Sequence, residues 1–152
     1  MDKPTYQRVM DSAIQGEIEA YQFYKQVADK VADKFLKNMF HEFAAEEQKH
    51  RAILEGFREK ANMAIHFAHV ADYHVSETVE VSENLSMEMK PADAIALAMK
   101  NEEAAMQHYT RLAEACGDAS QKKVFLELAT MERGHKAKME SAFVDIGYPE
   151  VW

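Results

Sequence analysis

Apolar positions recur at helical spacing over four long stretches, Tyr6 to Val31, Phe35 to Phe57, Ala92 to Ala115 and Val124 to Ile146. The pattern predicts four long helices. Ala32 to Lys34 and Cys116-Gly117-Asp118 are short breaks of the kind that join antiparallel neighbours, and Pro91 suits the first turn of the third helix. Asn62 to Lys90, rich in Val, Ser, Thr and Glu, cannot all continue the second helix and reads as a long crossover between two hairpins.

The hairpins are copies of one another. Sliding the chain by 85 residues aligns Ala13-Ile14-Gln15-Gly16-Glu17 with Ala98-Met99-Lys100-Asn101-Glu102, and Tyr24 with Tyr109. Without a gap, the same register places Phe40 on Phe125, Ala44 on Ala129, Glu47 on Glu132, His50 on His135 and Glu55 on Glu140. About a third of the positions from Ala13 to Glu55 are identical, against about one in twenty for equiprobable residues, so the repeat is not a chance match. Bundles with one long crossover are the ferritin-like ones. The expected fold is therefore all-α, a ferritin-like four-helix bundle made of two repeated hairpins, as one domain over residues 1–152.

Composition narrows the function. Five Gly and three Pro in 152 residues leave few turn signals, which favours helices over a many-stranded sandwich. A net charge of −8 offers no Lys/Arg surplus to displace phosphate counterions, which argues against a nucleic-acid partner. No apolar run reaches the ~18 residues of a membrane span, and Met1-Asp2-Lys3-Pro4 opens no signal-peptide pattern, so a cytoplasmic protein is expected. The single cysteine, Cys116, excludes internal disulfides, a Cys-x-x-C redox pair and an iron-sulfur cluster held by the chain's own thiolates.

The apolar stripes contain charged residues where a core should be. In the second helix Leu36, Phe40, Phe43, Glu47, His50, Leu54 and Phe57 step alternately by four and three, and Phe125, Leu128, Glu132, His135 and Met139 repeat the pattern in the fourth. Glu17 sits among Val9, Ala13, Ala20, Tyr21 and Tyr24, and Glu102 among Ala98, Met99, Ala105, Met106 and Tyr109. Burying ionised carboxylates without partners costs several kcal/mol, and no Lys or Arg shares these stripes. Two divalent cations would balance Glu17, Glu47, Glu102 and Glu132, with His50 and His135 as neutral nitrogen ligands. Glu47-x-x-His50 and Glu132-x-x-His135 put an oxygen and a nitrogen donor on adjacent turns, the dinuclear pattern of carboxylate bundles. Mixed O/N ligation suits iron or manganese; zinc would bind but brings no redox chemistry.

At these residues the chain resembles the rubrerythrin-like branch of the ferritin superfamily, through Ala13-Ile14-Gln15-Gly16-Glu17, Phe43-Ala44-Ala45-Glu46-Glu47-Gln48-Lys49-His50 and Met131-Glu132-Arg133-Gly134-His135. The resemblance implies two iron ions, with Glu17 and Glu102 as terminal carboxylates, Glu47 and Glu132 as bridges, and His50 and His135 each capping one metal. It further implies reduction of hydrogen peroxide with electrons from rubredoxin. Full-length relatives carry their own rubredoxin domain with paired Cys-x-x-Cys motifs; this sequence has none, so the donor is expected to be external. Relatives also carry a second Glu three residues after the third-helix ligand, where Ala105 stands here.

Other readings of the same residues remain. Dioxygen would replace peroxide in a ferroxidase or iron-storage protein with the same six ligands, although the six residues after the fourth helix are too few for the fifth helix of cage-forming members. A non-catalytic, metal-stabilised interaction module is a third reading. A homodimer is expected, with exchange of hairpins between chains permitted by the crossover. Tyr24 and Tyr109, two turns from Glu17 and Glu102, are either core aromatics or groups that donate to a ligand carboxylate or pass an electron. Glu102 is preferred to Glu103 by the repeat register; His66, His69 and His74 read as surface residues, Cys116 as a small buried hydrophobe or spare thiol, and Glu42 and Glu127 as solvent-facing.

Overall fold

The structure, a computed structural model, describes residues 1–61 and 90–147. It contains four helices, α1 (Lys3–Lys30), α2 (Lys34–Glu59), α3 (Pro91–Ala115) and α4 (Ala119–Gly147), and no strand among the described residues. The crossover assigned to Asn62 to Lys90 lies outside the described residues apart from Lys90.

Each helix starts where a side chain or carbonyl meets the unsatisfied amides of its first turn. Asp2 accepts from the Thr5 amide at 2.8 Å, Asp33 from Leu36 at 3.0 Å and Asp118 from Gln121 at 2.9 Å. Asp33 and Asp118 occupy one register position of the duplication, so the cap was copied with the hairpin. Before α3 the Lys90 carbonyl accepts from Asp93 and Ala94, and Pro91 takes the first helical position, where its missing amide hydrogen costs nothing. The fourth helix begins five residues earlier than its apolar periodicity suggests. Ser120, Gln121, Lys122 and Lys123 carry no apolar stripe, yet the Asp118 cap nucleates the turn they form.

Two compact units divide the chain. One contains α1, α2 and Ala115–Val124. Its apolar core includes Met10, Tyr24 and Ala28 of α1 with Phe40, Phe43, Leu54 and Phe57 of α2, all buried. Phe43 meets Tyr24 and Phe40 edge to face, with ring centroids 5.7 and 5.8 Å apart. Full burial of each such aromatic contributes on the order of 1.5–3 kcal/mol. The antiparallel pairing is fastened at its open end, where the Tyr6 hydroxyl donates to the Phe57 carbonyl at 2.6 Å and Arg58 clasps Asp11 through two nitrogens. Burial pushes the Tyr6 phenol up to about 12, with the neighbouring Cys116 adding to the shift. The Gln121 amide accepts from the Met1 amine at 3.1 Å, donates to the Met1 carbonyl at 3.0 Å, and receives the buried Cys116 thiol at 3.3 Å. Cys116 thus packs as a small buried group.

The second unit holds most of α3 and the part of α4 from Phe125. Ile95, Met99, Met106 and Tyr109 of α3 are buried, as are Phe125, Leu128, Met131, Met139 and Phe143 of α4. On α4 the buried positions extend beyond the expected stripe. They include 131, 132, 135, 136, 139 and 140, pairs of neighbours that span a broad arc of the helix.

Candidate metal centre

Each hairpin builds a half-site from the duplicated positions. In the first, α1 supplies Glu17 and α2 supplies Glu47 and His50, all buried. His50 Nδ1 lies 3.7 Å from Glu17 Oε2 and 3.8 Å from Glu47 Oε2. In the second, α3 supplies Glu102 and α4 supplies Glu132 and His135, again buried, with His135 Nδ1 3.2 Å from Glu102 Oε1. In both, Nδ1 is the nitrogen turned towards carboxylate.

These distances fit a shared cation. Bonds of about 2.0–2.2 Å to one ion leave its ligand atoms between about 3 and 4.3 Å apart, depending on the angle. The three separations fall in that interval, and the two longer ones exceed hydrogen-bonding range. Two carboxylates beside one imidazole form a hard, anionic donor set, chemically suited to iron or manganese. Glu17 and His50, and likewise Glu102 and His135, offer ligand atoms within 4.8 Å of each other.

The structure also separates Glu102 from Glu103. Glu102 faces His135, whereas Glu103 forms an ion pair with Lys136 and accepts from Gln107 Nε2 at 2.8 Å. Lys136 is fully buried, one position off the stripe in which neither Lys nor Arg was expected. Glu140, buried and four residues after Lys136, lies on the same side of α4. Sequence reasoning missed both, although their opposite charges at i, i+4 were a usable signal. It also passed over Glu46, whose carboxylate comes within 4.8 Å of His50 one helical turn later.

Tyr24 and Tyr109 are buried, in the second case beside His108 with ring centroids 6.1 Å apart. Glu42 is exposed and Glu127 half-buried. His66, His69 and His74 lie outside the described residues, as do residues 148–152.

Two helical hairpins that each bury two glutamates and a histidine, with the imidazole of one helix beside a carboxylate of the other, define an all-α protein equipped to hold metal. The family model for rubrerythrin matches residues 8–143, and the chain belongs to that family of ferritin-like, four-helix-bundle di-iron domains. Among solved structures it is similar to a hypothetical protein from Pyrococcus furiosus, at 27% identity over 91% of this chain and 88% of that one, with a TM-score of 0.63. No curated protein sequence shows significant similarity to it. None of the described helices is long and apolar enough to cross a membrane.

Proposed function

We propose that the protein is a non-haem di-iron oxidoreductase that reduces hydrogen peroxide to water with electrons from an external donor such as rubredoxin. The observation that carries this reading is the duplicated half-site of two buried Glu and one His in a rubrerythrin-family chain. Glu17, Glu47 and His50 from one hairpin and Glu102, Glu132 and His135 from the other would together hold two metal ions, whose +4 offsets four carboxylates. Bound ferrous iron would supply the two electrons that, with two protons, convert one peroxide into two waters.

The protein's own contribution is to bind and position. Burial of the six donors keeps bulk water from competing for them and holds the carboxylates in fixed rotamers. Tyr24 and Tyr109, buried two helical turns from Glu17 and Glu102, are assigned the supporting role of orienting those carboxylates.

Anaerobic loading with ferrous iron, followed by stoichiometric peroxide or dioxygen in separate mixing experiments, tests the reading. Peroxide is expected to oxidise the iron faster. Faster oxidation by dioxygen would instead assign a ferroxidase, and failure to bind iron would remove both.

A further inference from the structure

In the second hairpin a charged rung sits beside the ligand rung. Glu102 faces His135, and one position further along each helix Glu103 pairs with Lys136. The Lys136 side chain is fully buried, whereas 13% of the Glu103 side chain is exposed and its other oxygen is held by Gln107. The ammonium is therefore the deeper end of the pair. Taking an ammonium out of water costs several kcal/mol even when it is paired, so this arrangement is not a neutral way to fill space.

The first hairpin serves as an internal comparison. In the 85-residue register, Gln22 matches Gln107, but Ile18 stands in place of Glu103 and Arg51 in place of Lys136. Arg51 remains 50% exposed and pairs with Glu55 at 2.9 Å, the register mate of Glu140. One hairpin keeps this cation at the surface; the other buries it next to a candidate ligand.

We propose that the Glu103–Lys136 pair makes the two half-sites unequal: Lys136 weakens cation binding beside Glu102 and His135, so that the ion beside Glu17 and His50 loads first. The inference rests on the two-metal reading above. Lys136 acts as a positioning charge and not as a ligand. Its field opposes an incoming dication, while Glu103, by drawing the ammonium towards itself, limits that opposition. Removing either partner thus has opposite effects on the second step. A purely structural ion pair has a different signature, since breaking it from either side loosens the same half-site.

The test is an anaerobic titration of the metal-free full chain with cobaltous ion. Calorimetry measures the two affinities, and the contact-shifted imidazole proton signals, assigned with His50→Gln, report which histidine is ligated first. In the unmodified chain two ions are expected in two resolved steps, with the His50 signal leading. Lys136→Met should tighten the second step by about tenfold, Glu103→Gln should weaken it by about tenfold, and the double variant should return close to the starting value. Lys136→Gln replaces the Met variant if thermal melts show that Met prevents folding. Weakening in both single variants, an unchanged second step in Glu103→Gln, or two equal steps with His135 leading or level would each overturn the inference while leaving the two-metal reading intact. Binding of fewer than two ions by the unmodified chain would overturn that reading and the inference with it.

Discussion

Replacing Glu47 with Gln should stabilise the metal-free protein and destabilise the metal-loaded one. Glu17 Oε2 and Glu47 Oε2 lie 3.7 and 3.8 Å from the same His50 nitrogen, so they are at most 7.5 Å apart, the sum of those distances. Two negative charges at that separation repel by about 2 kcal/mol or more at an effective dielectric of ~20. An amide of the same shape removes the repulsion at little packing cost. For a chain of this size 1 kcal/mol moves the melting temperature by about 2–4 °C, so metal-free Glu47→Gln should melt about 4–8 °C higher than the parent. With metal the sign reverses, because a ligand oxygen is lost. A hundredfold loss of affinity removes up to ~2.7 kcal/mol of ligand-linked stabilisation. Thermal melts of both proteins, with chelator and with anaerobic ferrous iron, give the two differences directly. If metal-free Glu47→Gln melts below its parent, Glu47 is held by positive charge and the argument from like-charge repulsion is wrong.

Three other outcomes are expected. Glu132→Ala should abolish binding of a second metal while Glu42→Ala, at an exposed position, leaves iron content unchanged; equal losses in the two would show that the stripe assignment fails. Burial raises the Tyr6 phenol from about 10 to about 12, so the folded chain keeps a proton that the unfolded chain releases, and the associated stability is present below pH 10 and lost as the pH rises towards 12. Tyr6→Phe should cost about 1 kcal/mol at neutral pH and flatten that alkaline decline in denaturant titrations; identical slopes would show that another group is responsible. Asp118→Ala should cost about 1 kcal/mol in the same assay through loss of the α4 cap, and an unaltered midpoint would mean that Gln121 alone holds that turn.

Much of this architecture is written in periodicity. Three of the four helices start and end within three residues of their apolar stretches, because a core-facing stripe and the element that carries it share the same limits. The exception is α4, whose first turn is polar and is fixed by Asp118, a signal carried by one side chain. The six candidate ligands were legible because duplication printed them twice on otherwise apolar faces. Lys136 and Glu140 were not, for a geometric reason. Neighbouring residues point about 100° apart on a helix, so a narrow stripe assigns them to solvent; α4 buries a wider arc and takes them inside. Lys136 also shows that an absence of cations within a stripe does not establish an absence of cations beside it.

The bonds between Gln121 and Met1 join residues 120 positions apart within one compact unit. On a ribosome, α1 and α2 would emerge long before the turn from Cys116 to Gln121 exists, so their unit stays open at that end until Gln121 has been made. Closing that end is therefore a late event in synthesis, and it couples the first hairpin to a segment made after most of α3.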